Sequence, residues 1–234
     1  MIKIVNQNTA NVFDKLYSDG YDKKYPSTDL VRLESWYFKN KSGLSLDYGC
    51  GPGTNGLHLL DSGYKVIFAD ISKEALNIVE KKIKQRSNDI IDNGSVCLID
   101  SNSDKLPFDD NYFDYIVALS VLGNLDSKES LIQLLKEFNR VIAPGGKIIL
   151  DINANDTSYV EEAEKNIDDQ IFLTKPSQHI DSDPIKMFFP NSIEEFTAIV
   201  NTCDFIIEDV GYSNFKYMDC KSHEFIVCAK KGVN

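Results

Sequence analysis

The chain has 234 residues, 42% hydrophobic and 26% charged, which suits one soluble globular unit long enough to bury a full core. Its formal net charge of −11 argues against a duplex or tRNA binder, because such proteins need a basic surface to displace counterions. Five scattered cysteines, odd in number and without zinc-finger spacing, give neither a disulfide framework nor a metal site.

In chain order, residues 1–43 form an aromatic-rich lead-in with Phe13, Tyr17, Tyr21, Tyr25, Trp36, Tyr37 and Phe38. Its start, MIKIVNQNTANVF, has no secretory apolar region, and no apolar run is long enough to span a bilayer, so a cytoplasmic location is expected. Thr28 to Lys39 reads as a helix with Leu30, Leu33 and Tyr37 on one stripe. The aromatics are either packing groups or a cap over a ligand site.

From Gly43 onward strand and helix patterns alternate. Leu44–Asp47 is a strand, and Gly49, Gly51 and Gly53 then fall at alternate positions in a turn that opens a helix from Thr54 to Gly63. Glycines without a Cβ tolerate positive φ and let a ligand approach the backbone, while a helix N-terminus aims N–H groups at a carboxylate or phosphate. Lys65–Ala69 is the second strand. Ser72 caps a helix to about Arg86, with Ala75, Ile78, Val79 and Ile83 on its apolar face. Lys81, Lys82, Lys84 and Arg86 on this helix read as a solvated face rather than a nucleic-acid patch.

Val96–Ile99 and Tyr115–Leu119 are the third and fourth strands, and Asp126 with Glu129 has the spacing of a capping box for the next helix. Pro144-Gly145-Gly146 turns into a fifth strand, Lys147–Leu150. Residues 151–190 break the rhythm: a short acidic helix is expected over Asn155 to Asn166, and a hairpin from Ile171–Thr174 and Ile185–Phe189. This segment is either a substrate-side wall or a solvated excursion. Ser192 and Glu195 then open a last helix, followed by strands Phe205–Val210 and Glu224–Ala229. The loop joining those two is too short for a crossover helix, so they should be antiparallel.

Alternating strands and helices predict a single doubly wound α/β domain with a mostly parallel sheet. In such sheets ligands bind beyond the carboxyl ends of the strands, at the switch point. The glycine turn, Asp70, Asp100 and Leu119-Ser120 all end strands and therefore converge on one crevice. Asp70, seventeen residues after Gly53, is placed to accept hydrogen bonds from vicinal ribose hydroxyls, although an Asp before Ile-Ser-Lys-Glu could also simply help start a helix. Asp100 with Ser101 faces an adenine amino group or merely forms a turn. Asp47 fixes the loop amides or faces a cationic ligand.

The pieces LDYGCGPG, FADIS, ID with LPFDDNYFD, ALSVL and KEFNRVIAPGGKIIL, in that order, resemble the class I S-adenosylmethionine-dependent methyltransferases. The resemblance is strong over about residues 44–150 and extends weakly through SIEEFTAIVNTCDF and EFIVCAKK. It implies a seven-stranded, Rossmann-like sheet with an antiparallel last strand. The chain would divide into the lead-in 1–43, a cofactor-binding core 44–150, the insertion 151–190 and a terminal part 191–234. The resemblance also implies S-adenosylmethionine as cofactor. Its methionine end would lie over Asp47, Gly49, Cys50, Gly51 and Gly53, its ribose on Asp70, and its adenine beside Ile71 and against Asp100 and Ser101. Leu119 and Ser120 would floor the site near the methyl group. The stretch between Asp100 and Leu106 is slightly longer than the usual pattern.

Many small-molecule members carry a His after the fourth strand, where this chain reads Val121-Leu122-Gly123-Asn124-Leu125, so no catalytic base is assigned. His58 reads as packing, and His179 and His223 as surface or structural residues. The expected activity is methyl transfer to N or O of a small molecule, a sugar or an amine, by a monomer or homodimer with no nucleic-acid or membrane partner. Two rivals remain. Gly51 to Gly56 also matches the dinucleotide fingerprint of an NAD-dependent oxidoreductase, and a non-catalytic cofactor-binding partner subunit would need no base at all.

Overall fold

In this computed structural model the described residues are 7–86, 91–176, 182–217 and 219–233. Two helices form the lead-in, α1 (Gln7–Ser18) and α2 (Thr28–Tyr37), the latter capped by the Ser27 side chain, which accepts the Asp29 N–H. The core then alternates as expected: β1 (Leu44–Tyr48), α3 (Thr54–Asp61), β2 (Lys65–Asp70), α4 (Lys73–Lys84), β3 (Gly94–Leu98), β4 (Phe113–Ala118), α5 (Lys128–Val141) and β5 (Ile142–Asn153). The insertion holds one helical turn, α6 (Ser158–Glu161), and a small antiparallel sheet of β6 (Lys165–Asn166), β7 (Ile171–Thr174) and β8 (Ile185–Phe188). Helix α7 (Ile193–Asn201) and strands β9 (Phe205–Tyr217) and β10 (Cys220–Lys231) follow.

The main sheet has seven strands in the order β3-β2-β1-β4-β5-β10-β9. Strands β1 to β5 pair in parallel, and β10 runs antiparallel to both β5 and β9, which agrees with the expected Rossmann-like methyltransferase architecture. The order reverses between β1 and β4, so the crevice opens beyond their carboxyl ends. One sheet face buries Leu46, Tyr48, Ile116 and Leu150 against Phe138 of α5 and Phe196 of α7. The other buries Val66, Phe68, Val117 and Ile149 beneath α2, α3 and α4. Glu137 and Arg140 of α5 pin the Leu106-Pro107-Phe108 segment: Glu137 accepts the Leu106 N–H, and Arg140 donates to the carbonyls of Leu106 and Phe108.

Local readings fail in two places. The cap of α5 is Ser127, whose hydroxyl accepts the Ser130 N–H, while Asp126 accepts from the Ser130 hydroxyl. The helix expected over Asn155 to Asn166 shrinks to the single turn α6, and Lys165–Asn166 joins the small sheet as β6. The hairpin of that sheet forms where predicted, with Ile171 opposite Phe188. Phe172, Ile185, Met187 and Phe189 of the insertion pack with Val12 of α1, so the insertion backs that helix. Among the described residues no helix is long and apolar enough to cross a membrane.

Candidate functional site

The turn after β1 adopts the backbone that its glycines allow, with φ of +65° at Gly49 and +50° at Gly51. A Cβ on Gly49 would collide with Val121, and one on Gly51 would lie 2.7 Å from the Tyr17 hydroxyl, so no larger residue fits this close approach. The amides of the turn itself are taken up within the protein. Gly49 and Cys50 donate to the Ala69 carbonyl, Gly51 to Asp70 Oδ2 and Gly53 to the Cys50 carbonyl. Gly56, one turn into α3, donates to Asp47 Oδ2 at 2.7 Å. The turn is therefore a rigid, internally bonded ledge rather than an amide cradle.

Asp70 ends β2 and is buried. Its Oδ1 accepts the Ser72 N–H and its Oδ2 the Gly51 N–H, both at 2.8 Å, so the carboxylate ties turn to strand and keeps lone pairs for a ligand. Burial pushes Asp70 up to about 6, against the lowering effect of those two amides. Burial also pushes Asp47 up to about 7, opposed by the Gly56 N–H and reinforced by the charge of Asp70. Asp47 points away from the cavity, toward α3.

Over this ledge lies a cavity of about 60 Å³. Its floor is Tyr48, Gly49, Asp70 and Ile71, with Ile99 beyond β3 and Ser120, Val121, Asn124 and Leu125 beyond β4. Its roof is Thr9, Phe13 and Tyr17 of α1. Ser120 sits at φ +58°, a strained position for a non-glycine residue, and its N–H donates to the buried Asp151 at 2.6 Å, which holds it there. Helix α1 is anchored at both ends of the crevice. Asp14 accepts from the Ser72 hydroxyl and the Glu74 N–H, and Gln7 accepts from the Ser101 hydroxyl.

Of the residues expected at the site, Gly49, Asp70, Ile71 and Ser120 line the cavity, and Gly51 and Cys50 lie in the ledge beside it. Gly53 caps α3, and Leu119 is buried in the core with Val117. Asp100 is exposed and accepts the Asn102 N–H, the turn-forming alternative, and it does not line the cavity. Ser101 meets α1 instead. His223 hydrogen-bonds Asp156, whereas His58 lies 3.7 Å from Glu34 and its buried Nε2 makes no hydrogen bond within the protein. His179 lies outside the described residues. Phe13 and Tyr17 take the capping alternative left open for the lead-in aromatics, whereas Tyr48 was not expected at the site. Among the described residues no cluster of side chains could hold a metal ion.

A family model described as a methyltransferase domain matches residues 46–150. A demethylmenaquinone methyltransferase of Bacillus licheniformis is 30% identical over 159 residues, 64% of each chain. A ubiquinone/menaquinone biosynthesis C-methyltransferase of a Shewanella species is 34% identical over 93 residues, 40% of this chain and 34% of that one. The matched stretches thus span less than two thirds of either relative. Among solved structures, a SAM-dependent methyltransferase from Methanosarcina mazei superposes with a TM-score of 0.72 at 20% identity, covering 86% of this chain and 98% of that one.

Proposed function

We propose, from the premise that residues 46–150 are a domain of the class I methyltransferase family, that this protein transfers a methyl group from S-adenosylmethionine to N or O of a small-molecule acceptor. The observation that carries the reading is Asp70: a buried carboxylate at the end of β2, fixed by two amides beside a glycine ledge, with lone pairs left for a ribose diol. The residues present fit the cofactor. Ile71 and Ile99 supply apolar walls for a purine, and Gly49 and Gly51 let the ligand lie against backbone. The 60 Å³ is small beside the roughly 300–1,000 Å³ of ordinary ligand sites, so holding the whole cofactor requires Phe13 and Tyr17 of α1 to give way.

When bound, the sulfonium supplies a methyl group already activated for in-line transfer. The chain's part is orientation, which alone can supply several kcal/mol of the barrier, and exclusion of water by Phe13 and Tyr17. A protonated acceptor must also lose a proton. Asp151 and Glu224 sit on one face of the paired β5 and β10, next to the turn that holds Ser120. Burial raises both, and Glu224 raises Asp151 further while Lys23 opposes it. A carboxyl pair that shares one proton leaves one member ionised, able to attract an ammonium or hydroxyl and take its proton, which favours an amine or sugar over a carbon acceptor. All five cysteines are free thiols, in keeping with the reducing cytoplasm we assign it to.

The test is titration calorimetry with S-adenosylmethionine and NAD, followed by a substrate panel read by S-adenosylhomocysteine formation. Asp70→Ala should weaken S-adenosylmethionine binding by about tenfold or more, given charged hydrogen bonds of roughly 1.5–3 kcal/mol. Preference for NAD would support the oxidoreductase, and tight binding without turnover on any acceptor the partner subunit.

A further inference from the structure

The side chain of Tyr48 is almost fully buried, yet its hydroxyl has no hydrogen-bond partner within the protein. A buried hydroxyl left unpaired costs free energy, so native structures rarely keep one without a reason. Its ring is held in the core, nearly perpendicular to that of Phe138 with centroids 5.1 Å apart. Tyr48 lines the same small cavity as Asp70, Ile71 and Ile99, and its hydroxyl lies near enough to feel the charge of Asp70. Burial and the charge of Asp70 both raise Tyr48, so it stays protonated and acts as a donor at neutral pH.

We infer that Tyr48 is a ligand-binding residue whose hydroxyl donates a hydrogen bond to an acceptor atom of the cofactor's adenosine half, on the wall next to Asp70. This rests on the methyltransferase reading of the crevice and adds a specific contact to it. The chemistry is complementary: Asp70 accepts from the two ribose hydroxyls, and Tyr48 serves an atom that only accepts, a purine ring nitrogen or the ribose ring oxygen. Ile71 and Ile99 keep the neighbourhood dry, which strengthens a bond made there.

Tyr48→Phe keeps the ring and its packing on Phe138 and removes only the oxygen. Wild type and variant are compared by calorimetry with S-adenosylhomocysteine and with adenosine alone, and by melting of the ligand-free proteins. The expected result is a loss of affinity of about three- to tenfold for both ligands, the worth of one neutral hydrogen bond, with a ligand-free melting temperature equal to or above wild type. A lower melting temperature would mean that the hydroxyl is already satisfied in the free protein and would overturn the assignment. Equal affinity in the two proteins would also overturn it while leaving the methyltransferase reading intact. If wild type itself binds neither ligand, that underlying reading falls and takes the assignment with it.

Discussion

At the scale of single residues, Asp70 gives the crevice a pH signature. Its pKa of about 6 in the free protein arises because burial penalises the anion more than the Gly51 and Ser72 amides stabilise it. A carboxyl raised above its unfolded value stabilises the free fold below about pH 4, and that contribution is lost as pH rises through 6. Ligand binding has the opposite sign, because a ribose diol donates to the ionised form. Affinity for S-adenosylmethionine should therefore be level above about pH 7 and fall below pH 6, approaching tenfold per unit. Asp47, at about 7, titrates nearby but does not face the cavity, so Asp70→Asn should flatten the profile as well as weaken binding. Calorimetry between pH 5 and 8 decides it; a wild-type profile that stays level below 6 excludes Asp70 as the diol acceptor. Asp70 was legible in the sequence because a strand end and a glycine turn are local patterns. Tyr48 was not, since in LDYGC it reads only as a strand residue, and its unpaired hydroxyl emerges only when β2, β3 and β4 close around it.

At the scale of elements, the sheet was legible, and of the roof only its aromatic composition. Each core strand is a short apolar run bounded by turn residues, and each core helix carries an apolar stripe, so periodicity was enough. Helix α1, QNTANVFDKLYS, does set Leu16 one turn after Val12, but its two Asn, its Asp and its Ser are poor helix formers, and it is held by burying Thr9, Ala10, Val12, Leu16 and Tyr17. Conversely, the acidic stretch after Asn155 looks helical in composition but has no sustained apolar face, and only one turn survives. Since α1 owes its place to docking, its anchors should control opening. Asp14 caps α4 from outside by accepting from the Ser72 hydroxyl and the Glu74 N–H. Asp14→Ala should cost about 1 kcal/mol, the usual price of a lost cap, because Ser72 still serves the Ala75 N–H. Amides of residues 7–18 should exchange faster by hydrogen-exchange mass spectrometry while those of β1 and β4 stay protected. Unaltered exchange in α1 would show that the packing of Val12 on the small sheet, not Asp14, keeps the roof down.

For the whole molecule, the question is whether the lead-in is an appendage or part of the cooperative unit. Its two helices divide the work: α1 roofs the crevice, and α2 delivers Phe38 into the core. Phe38 is fully buried, stacked on Tyr115 at 4.2 Å and edge-on to Tyr64 at 6.1 Å. Close by, the buried Glu34 accepts from both Lys41 and the Tyr64 hydroxyl, tying α2 to the start of β2. Without this cover Tyr64, ahead of β2, and the apolar layer it shares with Leu59 and Leu60 of α3 would meet water, an exposed apolar patch that a folded monomer rarely tolerates. The lead-in must then fold with the sheet. Phe38→Ala leaves a cavity in the middle of this layer and should cost about 3–5 kcal/mol. For a domain of this size that is a drop of roughly 6–20 °C in melting temperature. Calorimetry should still show one transition, with calorimetric and van't Hoff enthalpies equal, because α2 and the sheet have no separate cores to lose in turn. If the variant melts in two steps, the first without loss of the sheet's circular dichroism, then the lead-in is an independent layer. Its opening could then admit ligand without loosening the domain below.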